Sequence, residues 1–196
     1  MDITELILED HREQRRLFAM IEQAGSAGPQ TLGLLWSRLA AFLEVHAQAE
    51  EELFYPELLR AGLASGRVRQ AEGETLDAIS DHNEIRDTIG EVAGHPAGSP
   101  GWHAAIAAVN RANGDHMAEE EREGLADFRR EASLQVRHDL AVAFAAFEAR
   151  HFAGVLPVDK DPASYVRQAE RAAIGGRSSG VLSIGSLKDG RQPAQF

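Results

Sequence analysis

The chain has 196 residues, with 31 acidic side chains against 20 Lys and Arg, so its formal net charge is −11. This acidic excess disfavours nucleic acid and anionic membranes as partners. The absence of cysteine removes disulfides, iron–sulfur clusters and thiolate zinc sites, so a bound metal is expected on nitrogen and oxygen ligands. The sequence has no basic leader, no secretory apolar run and no segment of the ~18 apolar residues that span a membrane, so we expect a cytoplasmic protein.

Apolar residues recur at helical spacing up to about residue 153 and predict five helices. In chain order these span about 3–24, 30–61, 66–93, 101–130 and 133–152. Ser133 is the predicted N-cap of the fifth, and Pro56 predicts a kink near the end of the second because proline has no N–H to donate. Four long helices with short links predict an all-α fold: an antiparallel up-and-down four-helix bundle with an additional C-terminal helix and a flexible tail.

The character of the sequence changes at about Pro157, which divides a bundle of residues 1–155 from a partly flexible C-terminal extension of residues 156–196. A short helix is expected to finish near Ala173, before the Gly/Ser-rich linker Gly175–Gly180. An apolar island from Val181 to Lys188 follows. Residues 177–196 are therefore a candidate docking segment for a protein partner, either as a peptide or as a strand added to a partner's sheet edge. The alternatives are packing on the bundle and a mobile tail.

Two halves of the chain repeat the same polar pattern on the predicted helices. The pattern D-H-x-E-x-R begins at Asp10 and again at Asp81, an offset of 71 residues. The pattern H-x-x-x-E-E begins at His46 and again at His116, an offset of 70 residues. Because side chains four residues apart share a helix face, each half supplies a lone His and then a His and a Glu that lie together.

Six of the repeated residues fall on the apolar stripes of four helices: His11, His46, Glu50, His82, His116 and Glu120. One His in such a place is usually a hydrogen-bonded core residue, but four that repeat between halves indicate a shared site. Two carboxylates buried together would have strongly raised pKa values unless cations compensated their charge. We therefore predict a dinuclear metal site in which the carboxylates bridge two ions ~3.5–4 Å apart and the imidazoles bind their outer sides.

Other polar residues have more than one interpretation. Asp10 and Asp81 could each orient an imidazole, or lie on a solvated helix face. Arg15 and Arg86 are expected in ion pairs. The remaining histidines are expected to be ordinary surface or packing residues: His95, His103, His138 and His151. Five large apolar residues are expected in the core or beside the metals: Phe18, Trp36, Phe42, Ile79 and Val109.

The order His, H-x-x-x-E, His, H-x-x-x-E over residues 3–130 resembles the hemerythrin-like family, the HHE cation-binding domains. The resemblance implies a non-haem di-iron centre, with two bridging carboxylates and an oxo, hydroxo or water bridge, that meets dioxygen, peroxide or nitric oxide. Oxygen carriers of this family have a fifth His one turn after the third-helix His, where this chain has Arg86. Glu57 and Asp127 are candidates for an added ligand, with a role outside the metal ligands as the alternative.

These patterns support three hypotheses. The first is a redox-active di-iron protein that binds or reacts with a small diatomic or peroxide ligand in a stress or sensing role, and the missing fifth His favours such chemistry over oxygen transport. The second is an adaptor whose metal state controls a partner bound through residues 177–196. The third is a structural or storage metal bundle with zinc or manganese in place of iron, since affinity order does not favour iron at nitrogen and oxygen sites. No catalytic residue is assigned.

Overall fold

The structure is a computed structural model that describes residues 1–176, so the candidate docking segment 177–196 lies outside the described residues. The described chain is helical and without strands, which confirms the predicted all-α class. Its elements, in chain order, are α1 (Ile3–Gln23), α2 (Pro29–Ala49), a π-helical turn (Glu50–Phe54), α3 (Tyr55–Ser65), α4 (Val68–Val92), α5 (Pro100–Arg122), α6 (Gly124–Glu131), α7 (Leu134–Arg150) and α8 (Pro162–Gly176).

Three of the predicted helices agree with α1, α4 and α7 to within a few residues. Local hydrogen bonds explain where they begin. The Asp2 carboxylate accepts from the Thr4 backbone N–H at 3.0 Å, and the Ser133 hydroxyl, the predicted N-cap, accepts from the Val136 N–H at 3.2 Å. Each bond satisfies one of the free N–H groups that every helix start exposes.

The prediction for the second helix is wrong about where the helix ends and about the kink at Pro56. Helical structure continues through α2, the π-turn and α3 to Ser65, where Gly66 ends it with a φ of 79°. In the π-turn the Tyr55 N–H bonds to the carbonyl of Glu50, five residues back. Pro56 then lies in the first turn of α3, where a helix tolerates a missing N–H. The chain thus accommodates the proline by widening the turn before it.

The prediction of one continuous fourth helix is wrong, because the chain breaks at Glu123 into α5 and α6. The backbone of Glu123 leaves the ideal helical values, with φ −114° and ψ −76°. Gly124 follows, and glycine has the lowest helix propensity of any residue except proline. Each half of the repeat thus has a helix irregularity close to its predicted Glu ligand. The break falls three residues after Glu120, and the π-turn begins at Glu50 itself.

Two apolar clusters fill the bundle, and the six predicted metal ligands lie between them. One cluster contains residues such as Ile7, Phe54 and Phe144; the other contains residues such as Leu39 and Trp102. Phe18, Ile79 and Val109 are buried as expected, while Trp36 and Phe42 are half-buried against the second cluster. On α1 the order Ile7, His11, Leu17 runs from one cluster through the polar layer to the other, and α4 has the same order. On α2 the order is reversed, from Leu39 through His46 to Ala49.

The last described helix, α8, packs against α3 and α4, and buries Val166 and Ala173. A short helix ending near Ala173 was expected from the sequence, and α8 is longer, from Pro162 to Gly176. Within residues 1–176, every helix is too short or too polar to cross a lipid bilayer.

Candidate metal centre

The structure brings all six predicted ligands together in the buried layer between the two apolar clusters. His46 Nε2 lies 3.0 Å from Glu50 Oε1, and His82 Nε2 lies 3.3 Å from Glu50 Oε2. Two further contacts join the other ligands: His82 Nε2 lies 3.1 Å from His116 Nε2, and His11 Nε2 lies 3.4 Å from Glu120 Oε2. Their role as metal ligands stays a prediction, but their proximity is a property of the fold.

Glu50 is the residue that joins the two halves of the site. Among the described residues, His11, His46 and Glu50 form one buried group whose ligand atoms all lie within 4.8 Å of one another. Glu50, His82 and His116 form a second group by the same measure. With 0% of its surface exposed, the Glu50 carboxylate thus presents one oxygen to each pair of imidazoles. This is the arrangement expected of a carboxylate that bridges two ions.

Glu120, the second predicted bridge, has a different environment. Its Oε2 lies beside His11, and its Oε1 accepts a hydrogen bond of 2.9 Å from the Tyr55 hydroxyl. Burial raises the pKa of Tyr55 well above its ordinary value, and the Glu120 charge raises it further, so the hydroxyl keeps its proton. Tyr55 lies just after the π-turn, and its place beside the site was not predicted from the sequence.

The nitrogen and oxygen atoms at the centre of the site are better suited to binding a cation than to hydrogen bonding with one another. Five of them are buried without a hydrogen-bond partner: His11 Nε2, His46 Nε2, Glu50 Oε1, Glu50 Oε2 and Glu120 Oε2. An unpartnered buried polar group costs about 1–3 kcal/mol, and more when it is charged. Imidazole nitrogens and carboxylate oxygens are also the ligands that iron, zinc and manganese bind in proteins. The donor set and its unmet bonding capacity therefore suit two metal ions.

The outer nitrogen of every imidazole faces a carboxylate. The four contacts from Nδ1 are His11 to Glu121 at 3.0 Å, His46 to Asp10 at 3.2 Å, His82 to Glu51 at 2.9 Å and His116 to Asp81 at 3.4 Å. A carboxylate favours the proton on the nitrogen that it faces, which leaves the Nε2 lone pair for a metal. Asp10 and Asp81 thus orient imidazoles, one of the two roles considered from the sequence.

The second Glu of each H-x-x-x-E-E pattern has the same function in both halves. Glu51 contacts His82, and Glu121 contacts His11. The Arg one turn after each of these histidines completes the arrangement: Arg86 donates to Glu51 at 2.7 Å, and Arg15 donates to Glu121 at 2.8 Å. The ion pairing predicted for both arginines is therefore present. The role of the second Glu was missed, although the repeated E-E was its signal.

The carboxylates give the site a negative field that attracts positive charge. Burial alone would lower the pKa of His82, but Glu50 and Glu51 outweigh it and raise the pKa to about 9. Burial likewise raises the pKa of Glu51, but His82, Arg86 and Lys160 outweigh it and hold the pKa at about 2. The same field that holds a proton on His82 favours a metal cation in its place.

Several residues considered from the sequence do not join the site. Glu57 pairs with Arg60 and Asp127 pairs with Arg130, in both cases one turn along the same helix. His95, His103, His138 and His151 belong to no group of clustered ligand atoms in residues 1–176. A third group joins His46 to Asp10 and to Glu148 of α7. Burial and the nearby Asp10 raise the pKa of Glu148 to about 8.

Apolar rings close one side of the site, and an acidic cleft leads to the other. The Phe144 ring of α7 meets the His46 ring edge-on, with centroids 5.9 Å apart, and Phe42 lies at 6.3 Å. The cleft reaches His116, Glu120 and Tyr55, and its wall carries further carboxylates: Glu74, Asp77, Asp81, Glu119 and Glu123. The fold therefore shields His46 from water and offers cations an attractive approach to His116.

The chain was compared with protein families, curated proteins and solved structures, and the family comparison agrees with a cation-binding site. A family model described as Hemerythrin HHE cation binding domain matches residues 2–128. A protein named DNA nickase, from Nostoc sp. (strain PCC 7120 / SAG 25.82 / UTEX 2576), is 24% identical over 152 residues, which are 76% of this chain and 40% of that relative. The chain thus spans well under half the length of this curated relative. No solved structure gives a significant match.

Proposed function

We propose that this chain, which belongs to the hemerythrin HHE cation binding family, holds two iron ions in an antiparallel four-helix bundle and binds or reacts with a small ligand there. The observation that carries the proposal is Glu50, a fully buried carboxylate shared by two pairs of imidazoles and lacking a hydrogen bond at either oxygen. His11 and His46 would hold one ion with Glu50, and His82 and His116 the other. Glu120 would complete the ligand set from beside His11.

Bound iron would supply open coordination positions and one-electron chemistry toward dioxygen, peroxide or nitric oxide. The chain's own residues prepare the place for such a ligand. The Tyr55 hydroxyl holds a proton within hydrogen-bond distance of Glu120. Phe42 and Phe144 lie against the His46 ring, which is only 4% exposed. The four carboxylates on the imidazole Nδ1 atoms fix the ring orientations.

Arg86 supports reaction or sensing over oxygen transport. Its guanidinium donates to Glu51 at 2.7 Å and to Glu44 at 3.2 Å, and a guanidinium has no lone pair to offer a metal. Because Arg86 occupies the place of the carrier's fifth His, the protein offers one ligand fewer. A coordination position left to an outside ligand suits a protein that responds to peroxide, dioxygen or nitric oxide.

The test is anaerobic loading with ferrous iron, followed by separate exposure to dioxygen, peroxide and nitric oxide. We expect two iron ions per chain by elemental analysis, and new near-ultraviolet and visible bands with at least one of the three ligands. Two bound ions without any spectral response would support the structural or storage alternative. Native protein that carries zinc or manganese would support that alternative as well.

The name of the Nostoc relative raises DNA as a second substrate. We propose that this chain does not act on DNA, because its net charge of −11 opposes contact with a phosphate backbone. Incubation of the metal-loaded protein with supercoiled plasmid is expected to leave the plasmid supercoiled. Nicking that Glu50→Gln abolishes would contradict this proposal and assign the metal centre to DNA cleavage.

A further inference from the structure

Glu51, the carboxylate that faces His82, is held by residues from two separate parts of the chain, α4 and the segment before α8. Its Oε1 accepts from Arg86 and faces the His82 Nδ1, while its Oε2 forms an ion pair with the Lys160 ammonium. Lys160 lies in the segment before α8, far along the chain from the repeat. The carboxylate is only 1% exposed, so these contacts are not replaced by water.

The backbone of Glu51 is held as well, through an oxygen that the π-turn leaves free. In the wider turn the Tyr55 N–H bonds to the Glu50 carbonyl, and one residue further the same pattern would bring the N–H of residue 56 to the Glu51 carbonyl. Residue 56 is proline and has no N–H. The Tyr165 hydroxyl of α8 donates to this carbonyl instead. The C-terminal extension thus supplies the hydrogen bond that Pro56 cannot.

The position of Lys160 is fixed by the residue next to His82. The Asn83 side chain donates to the Lys160 carbonyl at 2.8 Å and accepts from the Lys160 N–H at 3.1 Å. These two bonds join the backbone of the extension to α4. The corresponding residue in the first half of the repeat is Arg12, which is exposed. Within residues 1–176, the side-chain hydrogen bonds and ion pair that join the extension to the site are all on the His82 side.

This attachment makes the two halves of the site unequal. Glu121, the counterpart of Glu51, is 29% exposed, and its partner Arg15 is 44% exposed. Arg86 is only 7% exposed by the same measure. A loss of one contact at Glu121 can be compensated by water, whereas at Glu51 it leaves a buried charge with too few donors.

We infer that Lys160 and Tyr165 are positioning residues for the metal position formed by Glu50, His82 and His116, and that they make this position bind metal more tightly than the one on the His11 side. The inference rests on the proposed metal binding. Lys160 and Tyr165 act through Glu51, which orients the His82 ring. The extension is then a component of the metal centre as well as a cover for α3 and α4.

The test is a titration of the full-length, metal-free protein with cobalt(II), followed by absorption and by competition with a chelator. Wild type is expected to bind two ions with different affinities. Lys160→Met and Tyr165→Phe are each expected to weaken the tighter ion by about 10- to 100-fold, the usual effect of losing a partner of a metal ligand, and to alter its absorption bands. Lys160→Arg keeps the positive charge and is expected to restore most of the affinity.

Arg15→Met is the matched control, because Arg15 pairs with Glu121 as Lys160 pairs with Glu51, but Glu121 is partly exposed where Glu51 is buried. We expect it to change either affinity by less than about fivefold, as for an exposed ion pair. Wild-type protein that does not bind two cobalt ions would contradict the proposed function itself. Two ions in wild type with unchanged affinities and spectra in Lys160→Met and Tyr165→Phe would overturn only this inference. If Lys160→Met does not fold, as judged by circular dichroism, Tyr165→Phe decides.

Discussion

Replacement of Glu50 by glutamine is expected to remove most of the stabilisation that metal gives to the folded protein. Glutamine has nearly the same volume as glutamate but no charge, and Glu50 belongs to both groups of clustered ligand atoms. The change therefore weakens both metal positions at once without opening a cavity. A ligand that binds only the folded chain stabilises it in proportion to the logarithm of its concentration over its dissociation constant.

The expected size follows from this relation. Free metal at 100 times the dissociation constant stabilises wild type by about 2.7 kcal/mol for each ion. For a chain of this size each ion then raises the melting temperature by roughly 5–11 °C, so two ions raise it by roughly 11–22 °C. Loss of a ligand should weaken binding at least 100-fold, since loss of a mere partner of a ligand weakens it by 10- to 100-fold. At the same metal concentration the variant then gains at most about 0.4 kcal/mol for each ion, or roughly 2–3 °C for two ions.

The assay is thermal unfolding followed by circular dichroism, with and without ferrous iron under anaerobic conditions. The quantity to compare is the metal-induced shift of each protein, because the metal-free melting temperatures also reflect contacts of Glu50 with His46 and His82. Glu52→Gln is the control, since Glu52 is exposed and bonds only to Gln48 among the described residues. A shift in Glu50→Gln as large as in wild type would refute the assignment of Glu50 as a shared ligand.

Three further predictions concern protons and hydrogen bonds around the site. His82 has a folded pKa of about 9 against an ordinary 6.5, so its contribution to the stability of the metal-free protein is present below pH 6.5 and is lost as the pH rises through 9. Metal must displace this proton, so zinc affinity in chelator competition should rise from pH 6 to pH 8, and a constant affinity would argue against His82 as a ligand. Burial and nearby carboxylates raise the pKa of Glu74 to about 7 in the folded protein. The folded protein is therefore more stable while Glu74 is protonated, and it loses this stability as the pH rises from 4.5 through 7. Glu74→Gln should therefore stabilise the metal-free protein at pH 8 by about 1 kcal/mol, after discounting for solvent screening, and should have little effect at pH 5; equal effects at both pH values would contradict this. Tyr55→Phe removes the buried hydrogen bond to Glu120 and should lower the free energy of unfolding by about 1.5–3 kcal/mol in urea, whereas an unchanged value would show that the bond contributes nothing.

The polar layer could be predicted from the sequence because its spacing repeats. His46 and Glu50 lie four residues apart on an apolar stripe, and the same pair recurs at His116 and Glu120, which chance and ordinary core packing do not explain. The all-α class follows from the same periodicity, because side chains on one helix face must be buried together. Local rules thus sufficed for the residues that share a helix face.

Contacts between helices could not be predicted in the same way. Asp10 precedes His11 in the sequence but orients His46, and Asp81 precedes His82 but orients His116. Which imidazole an acid faces depends on how two helices pack, and no spacing along one helix determines that. The π-turn was missed for a related reason: Pro56 signals an irregularity, but only packing decides whether the chain kinks or widens its turn.

The residues of the extension carried no signal at all. Lys160 and Tyr165 lie outside the repeat, so neither has a counterpart at the repeat offset. The composition of the surrounding stretch suggests partial flexibility. Their contacts with Glu51 depend on the π-turn and on Asn83, which lie far away in the chain. Contacts between such distant residues become visible only in the structure.

Anomalous diffraction at the iron edge from crystals of the iron-loaded protein tests the proposed pair of ions most directly. We predict two iron peaks, one among His11, His46 and Glu50 and the other among Glu50, His82 and His116. A single peak, no peak, or iron bound instead at the outer group of Asp10, His46 and Glu148 would contradict the claim that these residues hold a pair of ions.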